Sequence, residues 1–301
     1  MSVAAAVLNL LEDATRREEA RELLVALGPG ALGGEAAGHI VGVTGPPGVG
    51  KSTLLGALVA TWRAAERTVA VLAVDPSSKR SGGALLGDRI RIAGPAAGGP
   101  GRFIRSMASR ERVGGLAAAT RAATQVLAVA FDVVVVDTVG GGQSETEVAE
   151  LADTVVVVVQ PGAGDALQFL KAGVMEVPDV LVVAKADVGA AAQATLAEAR
   201  AALHLLGADD TATLAVSALP PGVGIAELAQ ALDDHRARID TAARRLATRR
   251  AGALAEFISE YGARGLRAVG GRRGAERILI AQSPDIDGHS LVEILAAAQT
   301  S

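Results

Sequence analysis

The residues with the plainest chemical purpose are Gly45-Pro46-Pro47-Gly48-Val49-Gly50-Lys51-Ser52, followed by Thr53. The run fits G-x-x-x-x-G-K-[ST], a loop whose glycines let backbone N–H groups curl around phosphate oxygens. A helix opening near Lys51 would add the partial positive charge of its N-terminus. Lys51 then reaches the β- and γ-phosphates of a nucleotide, and the Ser52 hydroxyl ligates Mg2+. The plainer alternative is a Gly/Pro turn that binds nothing. Its placement between an apolar run and a helical stretch favours the phosphate loop.

Three further clusters stand where such a loop needs company. Asp137 closes the apolar run 133–136, the position from which an Asp holds Mg2+ directly or through water. Gly140, Gly141 and Gly142 follow it, and a Gly N–H there can sense a γ-phosphate. Gln143 comes next, as a candidate to orient the attacking water. Asp75 closes the run 69–74, and Asp88 follows Gly87. Asp75 has three open roles: contact with magnesium, orientation of the water, or a turn cap. Lys185 and Asp187 follow the run 180–183 in the order Ala-Lys-Ala-Asp. An Asp in such a loop accepts hydrogen bonds from the ring N–H and the exocyclic amine of guanine, a pair adenine lacks. The Lys stem lies over the base. Ser217, Ala218 and Leu219 resemble the later loop whose backbone N–H meets the guanine carbonyl oxygen. Lys51, Asp75 and Gln143 are thus the catalytic candidates.

These residues need a rigid edge to stand on, and the pattern supplies one. Runs at 40–44, 69–74, 133–136, 155–159 and 180–183 are apolar without alternation, as strands buried on both faces are. The stretch 214–216 is a further candidate. Helical spacing fills 51–65, 112–130, 144–151, 164–176, 189–206 and 224–239. Strands alternating with helices predict an α/β fold, a mostly parallel sheet with helices on both faces and right-handed crossovers. Ligands in such sheets bind at the carboxyl ends of the strands, where every cluster above falls. Residues 93–101 read as a loop. Residues 3–27 read as an amphipathic helical region stopped by Gly28-Pro29-Gly30. After about residue 240 strand signals fade. Arg244, Arg245, Arg249 and Arg250 open a basic helical tail broken at Gly270-Gly271, and 286–298 reads as a last helical piece. The expected organisation is an N-terminal helical extension (1–38), a P-loop domain (39–240) and a C-terminal helical arm (241–301).

The bulk numbers agree. With 301 residues, half of them hydrophobic and only 2% aromatic, the core must be Val, Leu, Ile and Ala. A net charge of −4 argues against a general nucleic-acid binder. The absence of Cys excludes disulfides and thiolate metal sites, and His39, His204, His235 and His289 lack ligand spacing. No apolar run approaches the ~20 residues of a membrane span. The apolar start lacks a preceding basic residue, a poor signal peptide, so a cytoplasmic protein is expected.

Several stretches together resemble one family, the MeaB/ArgK-type GTPases, G-protein chaperones of adenosylcobalamin-dependent acyl-CoA mutases such as methylmalonyl-CoA mutase. They are GVTGPPGVGKST (42–53), VDPSSKRSGGALLGDR (74–89), FIRSMASRERVGGLAAAT (103–120), DTVGGGQSE (137–145), VQPGAGDALQFLKAGVMEVPDVLVVAKAD (159–187) and the Ser-Ala pair at 217–218. The resemblance implies Mg2+, bound GTP or GDP, slow hydrolysis, a C-terminal dimerisation arm and hence a homodimer. It implies that Ser52, Asp75, Asp88 and Asp137 form the magnesium and water shell, and that 139–145 is a switch reporting nucleotide state to the mutase. The family usually has Glu where this chain has Asp137, and Asn where it has Ala184. The lost Asn side chain costs about 1–2 kcal/mol of hydrogen bonding to base and phosphate loop. Two other readings compete: an ATP-using kinase linked to basic amino-acid transport, and a nucleotide-dependent interaction module that does not hydrolyse. The guanine-type loop weighs against the first, and the presence of Lys51, Ser52 and Asp137 against the second. G proteins that deliver metals usually carry Cys- or His-rich sites, which this sequence lacks.

Overall fold

The computed structural model describes residues 3–13, 15–75, 101–108, 118–138, 148–162 and 178–299. By its internal contacts the chain divides into two compact units, residues 39–109 with 131–239, and residues 1–38, 110–130 and 240–301.

The first unit is built on a seven-stranded parallel sheet: β1 (His39–Thr44), β2 (Val69–Asp75), β3 (Arg102–Ala108), β4 (Val133–Thr138), β5 (Thr154–Val159), β6 (Val180–Val183) and β7 (Ala212–Ala215). The spatial order is β3-β2-β4-β1-β5-β6-β7. The central strands β1, β4, β5 and β6 are buried along their whole length, which is why their sequences are uninterrupted rather than alternating. The strand β3 was not anticipated. It lies at one edge, and its Arg102, Arg105 and Ser106 break any apolar run, as edge positions do. At the opposite edge, β7 is only half-buried.

One face of the sheet packs on α4 (Lys51–Ala64) and α7 (Ile225–Arg238), with Leu54, Leu55, Leu58, Trp62, Leu228 and Leu232 closing over Val41, Val43, Val135 and Val156. On the other face, Gly42 of β1 has no room for a side chain. A Cβ there would fall 2.3 Å from a methyl of Val148 and 2.9 Å from the Cβ of Ala152. The helix α6 (Ala190–Leu205) packs against β6 and β7. The helical ranges 189–206 and 224–239 read from the sequence match α6 and α7 to within a residue. Most of 93–101, the first half of 144–151 and all of 164–176 lie outside the described residues.

The second unit is helical: α1 (Val3–Glu12), α2 (Arg17–Ala26), the short α3 (Pro29–Leu32), α5 (Ala118–Ala130), α8 (Thr241–Ala268), α9 (Gly271–Ile280) and α10 (Gly288–Ala298). Leu254, Phe257, Leu279, Leu291 and Leu295 form its core. The side chain of Asp240 caps α8 by accepting from the Ala243 amide at 2.9 Å, and Asp287 caps α10. The basic opening of α8 is not a solvated patch throughout. Arg245 and Arg249 are buried, and Arg245 donates to the carbonyls of Ala36 and Gly38. Arg249 donates to Pro284 O at 2.8 Å and pairs with Glu35 at 2.9 Å. These side chains satisfy backbone carbonyls that helix ends and loops leave open. No described helix is long and apolar enough to cross a membrane.

Candidate functional site

The loop after β1 is shaped by its sequence. Gly45 takes φ 143°, and a Cβ on it would fall 2.1 Å from the Val158 carbonyl oxygen of β5, so only glycine lets the chain turn here. Gly48 and Gly50 also take positive φ, 77° and 106°. Pro47 and Gly48 are exposed at the loop's crest. Val49 is wholly buried among the core residues of β1 and α4. Its side chain anchors the loop, which leaves only its backbone for a ligand. The helix α4 begins at Lys51 with no side chain capping its first turn, so its N-terminal amides face the loop's concavity. Lys51 is buried (8% exposed), and its ammonium donates to Gly45 O at 2.6 Å and Pro46 O at 2.9 Å. The charge is thereby held at the mouth of the loop. Ser52 is half-buried and Thr53 exposed in the same turn.

The register of the sheet brings the other strand tips to this loop. Asp137 pairs with Val43 of β1 and with Ala73 of β2. Because Val43 belongs to the cluster under α4, Asp137 lies on the α4 face, the face from which Ser52 rises. Asp137 is buried (8% exposed). Among the described residues no three His, Cys, Asp or Glu side chains converge as a metal cluster. A Mg2+ site of this kind needs none, since the ion is usually held by one or two protein oxygens and the substrate's own phosphates. Ser52 and Asp137 are hard oxygen donors and fit that demand. Asp75 ends β2 opposite Ala108 of β3, at the same carboxyl edge. Asp88, Gly140 and Gln143 lie outside the described residues.

Past β5 and β6 stands the base-reading candidate. Lys185 is held in the left-handed region, φ 57° and ψ 44°, and starts a 3-10 turn over Ala186–Val188. Its ammonium donates to Gln160 Oε1 at 3.0 Å. The Ala186 amide donates to Val216 O, which ties this loop to the next one. Ser217 is buried, and its hydroxyl donates to Asp187 Oδ1 at 2.6 Å, fixing an otherwise exposed carboxylate. The Ser217 amide donates to Val223 O and the Leu219 amide to Ser217 Oγ. Of these three residues, Ala218 therefore keeps the amide available to read a carbonyl. Ala184, where an Asn was expected from the resemblance, is buried in the cluster that also holds Val49. Apolar packing stands where a polar link between base loop and phosphate loop would be. The roles of Gln160 and of the Ser217 hydroxyl escaped the sequence reading. The only signal for them is a Gln directly after β5 and a Ser after β7.

This fold and this loop define a P-loop nucleotide-binding protein. A family model described as "Methylmalonyl Co-A mutase-associated GTPase MeaB" matches residues 4–262, and the chain belongs to that family. A Pyrococcus abyssi protein whose name calls it a GTPase is 49% identical over 202 residues, covering 67% of this chain and 60% of that one. The GTPase ArgK of Escherichia coli is 46% identical over 150 residues, covering 49% of this chain and 44% of its own. The chain thus spans less than two thirds of the length of these relatives. The crystal structure of a LAO/AO transport system kinase superposes with a TM-score of 0.65 at 25% identity, covering 99% of this chain and 93% of that one.

Proposed function

We propose that this chain binds Mg2+–GTP, hydrolyses it slowly, and serves as a chaperone that gates cofactor loading and protection of an adenosylcobalamin-dependent acyl-CoA mutase such as methylmalonyl-CoA mutase. The observation that carries the guanine reading is the Ser217–Asp187 bond, which aims a fixed carboxylate beside the Lys185 stem at the phosphate loop's edge of the sheet. The partner is supported by the family to which the chain belongs.

The chain's residues divide the work. Backbone amides of 45–53 and the start of α4 cradle the phosphates, while Lys51 neutralises charge on them. Ser52 and Asp137 hold Mg2+, with Asp75 and Asp88 completing its water shell. Held there, Mg2+ would supply positive charge to offset the negative charge that develops on the phosphates. Gly140 senses the γ-phosphate and Gln143 orients the attacking water. Lys185, Asp187, Ala218 and Leu219 hold the base. The protein acts in the cytoplasm as a homodimer.

The test is affinity and hydrolysis with GTP against ATP in the presence of Mg2+, followed by co-purification with an adenosylcobalamin-dependent mutase. Preference for GTP and retention of the mutase support the proposal. Equal use of ATP would overturn the guanine reading and favour a kinase-like role, as the name of the superposed transport system kinase suggests. GTP use without mutase binding would remove the chaperone role alone.

A further inference from the structure

Two buried hydroxyls stand at the tips of β1 and β4, on the face of the sheet opposite α4, with no hydrogen-bonding task among the described residues. Thr44 is the last residue of β1, directly before Gly45 of the phosphate loop, and is wholly buried. Thr138 is the last residue of β4, directly after Asp137, and is 1% exposed. Neither hydroxyl has a hydrogen-bond partner within the protein among the described residues. The β1–β4 ladder ends at Val43↔Asp137, and Thr44 and Thr138 are the next residue on each of these neighbouring strands. On the outer sides, Thr138 is flanked by Val74 of β2 and Thr44 by Val157 of β5, both buried. Each hydroxyl thus has a buried valine as its registered neighbour on the outer side.

An unpaired buried hydroxyl is costly, and valine has nearly the same shape. The registered neighbours Val157 and Val74 are both valine. Retaining two such groups in adjacent places makes sense where something polar visits them. The strand tips on either side bear the two parts of the site whose relative placement decides hydrolysis: the loop carrying Lys51 and the carboxylate of Asp137. Two hydroxyls on neighbouring strands offer the two to four polar contacts that a single buried water requires.

We infer that Thr44 and Thr138 are positioning residues that together hold one water molecule during the GTP cycle, locking the phosphate loop and Asp137 in the arrangement needed for hydrolysis. The inference rests on the proposed GTPase function and deepens it. The phosphates are gripped mainly by backbone amides and Lys51, contacts made equally before and during reaction. The water-held pair acts on the placement of Asp137, where transition-state charge develops. Its loss shows in the rate and not in the affinity.

The experiment compares the wild-type chain with Thr44→Val, Thr138→Val and the hydroxyl-retaining Thr138→Ser, by single-turnover hydrolysis, GTP calorimetry and thermal unfolding. Both Val variants should hydrolyse about tenfold more slowly, the effect of one hydrogen bond lost from the transition state. Their GTP affinity should stay within about twofold and their melting temperature within about 3 °C. Thr138→Ser should restore most of the rate. Wild-type rates in both Val variants would overturn the inference while leaving the GTPase reading intact. Parallel losses of melting temperature and affinity would assign the hydroxyls to folding alone and overturn it too. A wild-type chain that neither binds nor hydrolyses GTP would bring down both readings.

Discussion

The two edges of the sheet are built on opposite plans. At the amino-terminal edge, polar groups are paired almost one to one. Asp132, Asp153 and Asp179 each stand one residue before a strand, and each carboxylate accepts an amide at or just before the start of another strand. Asp132 takes the Thr68 amide at 2.7 Å, Asp153 the Ile40 amide at 2.9 Å, and Asp179 the Val155 amide at 2.8 Å. Between them runs a buried chain: His39 Nε2 to Thr154 Oγ at 2.7 Å, Thr154 Oγ to His235 Nδ1 at 2.8 Å, and His235 Nε2 to Asp179 Oδ1 at 3.1 Å. With the His235 ring neutral, its Nε2–H donates to Asp179. Its Nδ1 then accepts from the Thr154 hydroxyl, which in turn accepts from His39 Nε2–H. At the carboxyl-terminal edge, by contrast, a first helical turn is left uncapped, Lys51 rests on loop carbonyls, and the hydroxyls of Thr44 and Thr138 have no protein partner among the described residues. One edge spends its polar groups on stability; the other holds them ready for a ligand.

If that division is right, substitutions at the two edges should separate cleanly into function and folding. The largest expected effect is Lys51→Ala. Removing the one buried ammonium of the loop should weaken GTP binding by about a hundredfold or more, measured by calorimetry. Thermal unfolding without nucleotide should change little. Tight binding by this variant would sink the phosphate-loop assignment.

Asp179→Ala is the counterpart at the far edge. It leaves the Val155 amide and the His235 Nε2–H without their acceptor in a buried setting, at a cost of about 2–4 kcal/mol. For a unit of this size that lowers the melting temperature by about 5–12 °C. GTP affinity in the folded fraction should be unchanged. A stable variant with weakened GTP binding would erase the contrast between the edges.

How much of this could be read from the sequence follows the same line. The central strands were legible because burial on both faces leaves uninterrupted valines, and β6 was delimited to the residue. The strand β3 was not, because an edge strand keeps its arginines. The helical region at 3–27 breaks into α1 and α2, with Asp13 turning the chain by accepting from the Thr15 amide. The phosphate loop was legible as a motif because its glycines answer to backbone geometry. The Asp before β4, β5 and β6 carried no such signal, since an Asp before a strand reads as an ordinary turn residue. The buried duties of Arg245 and Arg249 were hidden for a related reason: a basic run on a helix does not say which members face carbonyls.

The base loop tests the contrast on a finer scale, because there a structural hydrogen bond serves a functional group. Ser217→Ala releases Asp187 from its 2.6 Å bond without touching the carboxylate itself. The expected loss is about tenfold in GTP affinity, with ATP affinity unchanged, since the freed side chain must be ordered by the base. Asp187→Asn should instead move the preference from guanine toward xanthine nucleotides. Equal GTP and ATP losses in Ser217→Ala would mean that the bond holds the loop and not the base-reading carboxylate.

The smallest effect belongs to Asp132. The amide and then the hydroxyl of Thr68, helped by nearby Arg67 and Arg63, hold its carboxyl below the usual range for an aspartate. A lowered folded-state value means that the charged form stabilises the fold. That contribution is complete above the unfolded-state value of about 3.9 and fades as pH falls through the folded-state value. The side chain is exposed, so the effect is modest. Asp132→Asn should lower the melting temperature slightly at neutral pH and flatten its decline in acid, while GTP hydrolysis at neutral pH stays at the wild-type rate. An acid limb unchanged by the substitution would show that Asp132 is a bystander at this edge, and that the buried pairs around Asp153 and Asp179 alone carry its stability.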